Sequence, residues 1–378
     1  MNRIEKLIHE FCSSEVEFKE LKQVATISNG KDHKHLENGK IPVYGSGGIM
    51  RHASMFIYNK ESVLIPRKGS IGNIFYVDIP FWAVDTIFYT KINSGTILPK
   101  FLYYYLLTLD LTKLNFAGGV PSLTKSILDK ILIPIPPLPV QQEIVNILDK
   151  FTQLEQELNA ELETRRKQYD FYLNHLMGFE GNEVEWKTLG EIAEFKYGFT
   201  DKAKDKGNVR FVRITDINEY GKLRDNDYKY IDLTAENEEY ILSKGDLLMA
   251  RTGATFGKAM LFNENYPAVY ASFLIRIRFI GEIILPDYYW HFSQSSLYWN
   301  QAYELVGGGA QPQFNANALK AVKIPIPPLS EQERIVSILD KFDSLVNDTT
   351  IGIPAEIEAR RKQYEYYRNK LLTFEEYA

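Results

Sequence analysis

The sequence predicts an α+β fold in which two similar, strand-rich α/β domains are held apart by two long, antiparallel coiled-coil helices. Three observations predict it: a long internal repeat, coiled-coil spacing of apolar residues inside that repeat, and β-prone runs in the blocks between its copies. A length of 378 residues accommodates two or more domains. Because the pattern is circularly repeated, we also expect pseudo-twofold architecture.

The internal repeat has two matching parts. The stretch IPIPPLPVQQEIVNILDKF at residues 133–151 returns as IPIPPLSEQERIVSILDKF at residues 324–342, an offset of 191. The stretch RRKQY at residues 165–169 returns at residues 360–364, an offset of 195. The second copy therefore carries four extra residues between its two parts.

The first copy predicts one long helix. Prolines end at Pro139, and no Gly or Pro occurs from Val140 to Met177. Apolar residues then alternate by four and three along a coiled-coil seam, with a stutter after Leu158. The predicted helix has about 38 residues and a length of roughly 57 Å. The alternative, a core helix of an ordinary globular domain, is less favoured because such helices are usually much shorter.

The second copy predicts a matching helix with a break. The seam continues until Asn347, and Gly352 and Pro354 then interrupt it before the RRKQY stretch. We expect the two helices to pair antiparallel. The residues predicted to pair the helices or bind partners are Ile144, Ile147, Phe151, Leu154, Leu158, Ile335, Ile338, Phe342, Leu345 and Tyr364.

Similar openings define the two globular blocks. A short helix and linker precede V-E-aromatic-K-x-L at Val16, and the same order recurs at Val184. The predicted organisation is an N-terminal helix that packs on the C-terminal helix (1–15), a first domain (16–137), a central helix (138–180), a second domain (184–328) and a C-terminal helix broken near 347–354 (329–378).

Within the blocks, β-prone runs precede an aromatic-rich helix. The predicted strands are 63–66, 74–77, 86–90, 209–214, 246–249, 259–262 and 271–280. The predicted helices are 101–107 in the first block and 286–301 in the second. The same order in both blocks supports a duplication of the whole unit.

The charge distribution qualifies a net charge of −5, which at first argues against nucleic acid. Residues 16–132 hold 14 Lys and Arg against 9 Asp and Glu, whereas residues 133–183 hold 4 against 9. The acidity therefore lies in the helices, and the first globular block could attract phosphates.

Catalytic motifs are not found. The stretch from Gly253 to Lys258 resembles a phosphate loop, but it has three residues between its glycines instead of four, and Ala259 stands where Mg²⁺ needs Ser or Thr. His33 and His35 are more simply part of a solvated loop than of a metal site, so we expect no metal. No apolar run is long enough to span a membrane, and one cysteine, Cys12, fits a reducing cytoplasm.

Loops that place small residues beside basic ones recur at corresponding points of both blocks. Glycine allows close backbone approach, and Arg, Ser, Thr, Asn and Gln can contact phosphates or base edges. Simple β-turns with solubilising charge are the alternative. The candidate DNA-binding residues are Tyr44, Ser46, Arg67, Lys68, Ser70, Asn73, Ser122, Lys125, Arg213, Thr215, Arg251, Thr252, Thr255, Lys258, Gln311 and Gln313.

The whole chain resembles the specificity (S) subunit of type I restriction-modification enzymes. The resemblance rests on the repeated I-P-I-P-P-L-x-x-Q-x-x-I-V-x-I-L-D-x-F, on R-R-K-Q-Y-x-x-Y, and on the stretches YGSGG and KGSIGN. It implies two target-recognition domains that each read half of a split site in double-stranded DNA, and helices that fix their separation.

The resemblance also implies the partners. Two methyltransferase (M) subunits would bind S-adenosylmethionine, separate motor-nuclease (R) subunits would use ATP with Mg²⁺, and this chain would hold no cofactor and perform no chemistry. A non-catalytic scaffold that binds protein or carbohydrate is the alternative, and it predicts no salt-dependent DNA binding. A fused methyltransferase-nuclease fragment is disfavoured by the whole-chain repeat.

Overall fold

A computed structural model describes residues 16–114, 122–179, 184–306 and 314–374. The chain forms two compact units: residues 1–158 with 357–378, and residues 159–356. The predicted N-terminal helix at 1–15 and the predicted contacts Gln311 and Gln313 lie outside the described residues. Within the described ranges, no helix is both long and apolar enough to cross a membrane.

The strands are short, as expected for β-prone runs divided by glycine and charged turns. In chain order they are β1 Phe18–Glu20, β2 Ala25–Asn29, β3 Asn38–Gly45, β4 Gly48–Ala53, β5 Ser62–Pro66, β6 Phe75–Val77, β7 Trp82–Ala83, β8 Ile87–Ile92, β9 Leu132–Pro134, β10 Glu185–Thr188, β11 Ala193–Tyr197, β12 Val209–Val212, β13 Tyr230–Ile231, β14 Asp246–Ala250, β15 Ala259–Phe262, β16 Ala268–Tyr270, β17 Leu274–Phe279 and β18 Lys323–Ile326.

The helices are short in the domains and long in the repeats. In chain order they are α1 Leu21–Val24, α2 Pro99–Leu106, α3 Lys125–Leu128, α4 Leu138–Gly178, α5 Leu189–Ile192, α6 Pro286–Phe292, α7 Ser296–Val306, α8 Ala316–Ala321, α9 Leu329–Asn347 and α10 Ile353–Leu371. The central helix α4 has 41 residues, and residues 138–158 belong to the first unit. Its length is about 62 Å at ~1.5 Å per residue.

The two units have the same sheet topology. In the first unit an antiparallel sheet has the order β2-β8-β5-β6, and in the second the order is β11-β17-β14-β15. Each unit adds a three-stranded sheet with one parallel pair, β4-β3-β7 or β13-β12-β16. An antiparallel pair, β1-β9 or β10-β18, closes each block where it meets its repeat. The recurrence of one topology agrees with the repeated sequence.

In the first unit, the main core lies where helices cover the four-stranded sheet. It combines sheet residues such as Val63 and Phe88 with Phe101 of α2 and with Leu148 of α4. Leu371 of α10 belongs to the same core. The long helices are therefore part of the domain's hydrophobic core, and each is held there by burial of apolar surface.

Each unit pairs a segment of α4 with a helix from the other repeat. In the first unit, Phe151 stacks on Tyr367 with ring centroids 5.8 Å apart, and Glu155 accepts hydrogen bonds from Arg361. In the second, Tyr172 stacks on Phe342 with centroids 5.2 Å apart. In the first unit, Phe151 precedes Glu155 along α4, but the partner of Phe151 (Tyr367) follows the partner of Glu155 (Arg361) along α10. The two segments therefore run in opposite directions.

The most buried helix face coincides only in part with the predicted seam. Of the seam residues, Ile144 and Ile335 are buried, Leu345 is 37% exposed, and the other seven are half-buried. The fully buried face shares Ile144 and Ile335 with the seam, and its other members are Gln141 and Leu148 in α4 and Gln332 and Leu339 in α9. A coiled-coil spacing reports the face toward another helix, whereas here a neighbouring face packs on the domain and is buried more deeply.

Three predicted elements differ from the structure. The predicted helix 286–301 is two helices, because the hydroxyls of Ser293 and Ser295 bond to carbonyls of the preceding turn and replace helix hydrogen bonds. The predicted strand 271–280 begins only at Leu274, after β16. The predicted strand 209–214 ends at Val212, because Asp216 accepts the backbone N–H of Arg213 and starts a 3₁₀ turn.

Candidate nucleic-acid interface

In the first unit, three separate segments meet at the ends of β3 and β5. The side-chain amide of Asn73 donates to the carbonyl of Ser46 at 3.4 Å. Lys68 forms an isolated antiparallel bridge with Ser122. The backbone N–H of Leu123 donates to the carbonyl of Arg67 at 2.8 Å. The structure thus brings together predicted contact residues that are 27 and 54 positions apart in sequence.

Arg67 provides an unneutralised positive charge at this meeting point. Its guanidinium lies over the ring of Phe88, with the central carbon 5.2 Å from the ring centroid. Its Nε is buried. Within the described residues this nitrogen has no hydrogen-bond partner, and the guanidinium forms no ion pair. The side chains of Lys68, Ser70 and Asn73 beside it are exposed. A cation with free hydrogen-bonding capacity among exposed polar residues suits binding of an anion.

The second unit repeats this arrangement around Arg251. The backbone N–H of Phe314 donates to the carbonyl of Arg251 at 2.9 Å, as that of Leu123 does to Arg67. The Arg251 guanidinium lies 5.2 Å from the ring centroid of Tyr197 and 5.5 Å from that of Phe273. Its Nε is likewise buried, and it has no hydrogen-bond partner among the residues that the structure describes. Both arginines directly follow corresponding strands, β5 and β14.

A glycine two residues after each arginine shapes the turn. Gly69 has a φ of +76° and Gly253 has a φ of +75°, a conformation that L side chains rarely adopt. The side chain of Ser46 also lies 3.2 Å from where a Cβ on Gly69 would be. We call the residues Arg67 to Asn73 and Arg251 to Lys258 the arginine–glycine turns. Both turns have the sequence R-x-G because the third position requires a backbone conformation that glycine adopts readily.

The remaining candidates of the second unit are placed differently. Arg213 forms ion pairs with Asp216 at 2.6 Å and with Asp227 at 3.1 Å, and the first of these raises the pKa of the arginine most. Thr215 beside it is exposed. Arg213 follows β12, whereas Arg251 follows β14 in the other sheet. The charge of Arg213 is therefore already compensated by carboxylates.

The other predicted contacts vary in exposure. The Tyr44 ring is half-buried among Phe75 and Phe81, and burial raises the pKa of its hydroxyl. Lys125 is exposed at the start of α3. The side chains of Ser46, Ser122, Thr252, Thr255 and Lys258 are half-buried. Only part of this set is therefore fully open to a large ligand in the free chain.

Two features of the site region are absent from the predicted set. On β4, next to the first arginine–glycine turn, Ile49 is 54% exposed and Met50 is 60% exposed. Two consecutive apolar residues are too short a pattern to predict an exposed apolar strand. Each repeat also holds a fully buried glutamine, Gln141 or Gln332. The recurrence of this glutamine in IPIPPLxxQ could have marked it as important. The sequence pattern does not indicate which groups it bonds to.

Among the described residues, no group of three or more His, Cys, Asp or Glu is placed to hold a metal ion. His35 packs edge-on against Trp82.

Fold and site together define a class of protein: a tandem of two domains with one topology, each presenting an arginine–glycine turn and each joined to long repeated helices. The chain belongs to the family of type I restriction modification DNA specificity domains, whose family model matches residues 13–164 and 182–359.

Named relatives and solved structures agree. A chain of Haemophilus influenzae named as a type I restriction enzyme specificity subunit is 35% identical over 98% of each chain. The EcoR124I/EcoR124II specificity subunit of Escherichia coli is 35% identical over 79% of this chain and 77% of its own. The crystal structure of a type I S subunit from M. genitalium has a TM-score of 0.64 at 18% identity and covers 95% of this chain and 97% of that one. A structure from a study of type I complex assembly has a TM-score of 0.63 at 15% identity, over 96% and 98%. At these identities the two structures show a shared fold.

Proposed function

We propose that this chain is the sequence-specific DNA-recognition subunit of a type I restriction-modification complex. Each unit reads one half of a bipartite site in double-stranded DNA. The observation that carries the proposal is the duplicated arginine–glycine turn, at corresponding positions of two domains with one topology. Two equivalent anion-binding turns on one chain suit two places on a duplex whose backbone is regularly charged.

The long helices then act as a ruler in a pseudo-twofold arrangement. Their antiparallel coiled-coil pairing is supported by the matching contacts of Phe151 with Tyr367 and of Phe342 with Tyr172. Half-sites one duplex turn apart have centres ~34–36 Å apart, and a helix of about 62 Å is long enough to span that distance. The helices fix the unspecified spacer between the half-sites.

The chemistry belongs to other subunits. The outer faces of the helices dock two methyltransferase subunits, which bind S-adenosylmethionine, and motor-nuclease subunits use ATP and Mg²⁺. Binding without catalysis by this chain agrees with the lack of a catalytic motif in its sequence. Its place of action is the cytoplasm, where the DNA and these partners are.

Methylation profiling of DNA from cells that carry this chain with its neighbouring subunits tests the proposal. We expect methylation confined to one bipartite motif with a fixed spacer, lost when this chain is deleted and restored by a plasmid copy. The same motif in the deletion strain would contradict it. A scaffold that binds protein or carbohydrate instead would leave methylation unchanged and show no salt-dependent DNA binding.

A further inference from the structure

The first turn of α4 is fastened to its domain by a buried glutamine. The Gln141 side chain is fully buried. Its carbonyl accepts the backbone N–H of Leu98 at 2.8 Å, and its amide donates to the carbonyls of Thr96 at 3.1 Å and Pro136 at 2.8 Å. Leu98 immediately precedes α2, so the glutamine joins the start of one helix to the start of another.

The second repeat has the same fastening. The fully buried Gln332 accepts the backbone N–H of Leu285 at 2.9 Å and donates to the carbonyls of Ile283 and Pro327, each at 2.9 Å. Leu285 immediately precedes α6, the counterpart of α2. Three hydrogen bonds to equivalent backbone atoms recur 191 residues apart.

A carboxylate two turns further along each helix makes a second attachment. Asp149 accepts the hydroxyl of Tyr104 at 2.6 Å and the amine of Lys100 at 2.7 Å, both on α2. Asp340 pairs with the ring Nε2 of His291 on α6 at 2.8 Å. The two attachments lie eight residues apart in both repeats, which is about 12 Å along a helix.

We propose that these paired attachments set the orientation of each recognition domain on the helices and thereby determine the length of the DNA spacer. Gln141 and Gln332 are positioning residues in this role, which rests on the proposed function. Asp149 and Asp340 complete it by holding a second point on each helix.

Directional bonds are needed because apolar packing alone leaves a helix free to adjust. Hydrophobic contact is non-directional, so an apolar face tolerates small rotations and shifts of a helix along a domain. Hydrogen bonds weaken steeply when distance or angle changes. Two directional points on one helix fix both its rotation and its translation, as a single buried polar residue fixes register in coiled coils.

The test substitutes each glutamine by methionine, which has a similar shape and none of the three hydrogen bonds. Gln141→Met and Gln332→Met chains are produced with their methyltransferase partners. Methylation is measured on duplexes that carry both half-sites, with spacers varied in single base-pair steps. For each variant we expect the preference for the best spacer over its neighbours to fall about tenfold, since one net hydrogen bond is worth roughly this factor. The bases preferred within each half-site should not change.

Gln142→Met is the matched control. Gln142 is the next residue and is exposed, and among the described ranges its side chain bonds only to the side chain of Asn146 on its own helix. It should keep the spacer preference of the unchanged chain. If Gln141→Met and Gln332→Met keep a sharp spacer preference while folded, the inference is wrong. If the unchanged chain shows no bipartite specificity at all, the proposed function fails, and this inference fails with it.

A second pair of variants applies if the glutamine variants do not fold. Asp149→Ala and Asp340→Ala remove the second attachment at carboxylates that are 35% and 54% exposed, so the domain core stays intact. We expect the same broadening with a smaller fold-change. Folded variants with an unchanged spacer profile would overturn the proposal.

Discussion

At the scale of single residues, the two units solve one local problem in the same way. An arginine leaves a central strand, lies on aromatic rings, and is followed by a glycine in the left-handed region. Stacking holds the guanidinium in place but leaves its charge uncompensated, whereas Arg213 nearby in sequence is neutralised by two carboxylates. Removal of Arg67 or Arg251 should therefore affect DNA binding, whereas removal of Arg213 should affect stability.

Arg67→Ala and Arg251→Ala should weaken DNA binding of the assembled complex by about 1–3 kcal/mol each and lower the salt dependence by about one counterion. The first should affect only the half-site that the first unit reads, and the second only the other. Fluorescence anisotropy at several salt concentrations, with each half-site mutated in turn, measures this. Lys204→Ala is the control, since its amine is already paired with Asp232. Equal losses of DNA binding in all three variants would contradict this prediction.

Arg213→Ala should instead lower the free energy of unfolding. Asp216 is only 3% exposed, so removal of its partner leaves a buried carboxylate uncompensated. Because Arg213 itself is partly exposed, we expect a loss of about 2 kcal/mol, less than the 3–5 of a fully buried pair. Urea denaturation measures it, and Thr215→Ala should change the value by less than about 0.5 kcal/mol. An unchanged midpoint for Arg213→Ala would refute the structural role.

Acid should remove part of the same interaction. Hydrogen bonds from Lys229 and then from Arg213 lower the pKa of Asp227. A carboxyl group with a lowered pKa in the folded state stabilises the fold above its unfolded pKa of about 3.9, and this stabilisation is lost as the pH falls through the folded value. Stability should therefore fall below about pH 4, and an Asp227→Asn chain should show a shallower fall in the same titration by urea denaturation. Parallel curves for the two chains would argue against this contribution.

At the scale of elements, the sequence predicts the presence of a helix more reliably than it predicts which residues each face of the helix contacts. The long helix follows from apolar periodicity and from the lack of Gly and Pro over 38 residues. Its most buried face, which carries Gln141 and Leu148, could not be predicted because two of the three hydrogen-bond partners of Gln141 lie more than 40 residues away in sequence. The pairing of Arg213 with Asp227 was not predictable either, because it depends on how the chain folds back between these two residues, which are 14 positions apart. The turn at Gly69 follows from the sequence alone.

Phe151→Ala tests the helix contact inside the first unit. The ring packs on Tyr364 and Tyr367 and borders the main core, so its loss should lower the free energy of unfolding by about 2–3 kcal/mol. Urea denaturation of the full chain measures this. Lys150→Ala, at the exposed neighbouring position, should change it by less than about 0.5 kcal/mol. Similar values for the two variants would show that the stacked rings contribute little.

At the scale of the whole molecule, the duplication predicted from the sequence recurs in the topology of both units. The strand order could not be predicted, because short strands of similar composition allow many pairings. The similarity of the two blocks was nevertheless predictable from the order of their elements. Modular exchange is the functional expectation that follows.

Replacement of residues 184–323 by the corresponding block of another family member should change one half-site and leave the other as it was. Methylation profiling of cells carrying the chimaera measures both half-sites at once. The reciprocal exchange of residues 16–132 is the control and should change the opposite half. A change of both half-sites by one exchange would count against independent readers.

Matched insertions in both helices should lengthen the spacer. Seven added residues in each helix extend it by about 10 Å while nearly keeping the register of its faces. Methylation of duplexes with graded spacers should shift to a longer optimum with the same half-sites. Insertion in one helix alone should abolish methylation, because the two helices would no longer have matching lengths. An unshifted optimum after matched insertion would refute the ruler.

The hydrogen bonds of the buried glutamines reach main-chain atoms: the amide of Leu98 or Leu285, the carbonyl two residues before that leucine, and the carbonyl five residues before the glutamine itself. Every amino acid except proline offers the same amide, and all offer the same carbonyl. This attachment therefore places almost no constraint on the side chains of the recognition domain that it holds. During evolution, the DNA-contacting side chains could change while the hydrogen bonds that attach the domain to its helix stay the same.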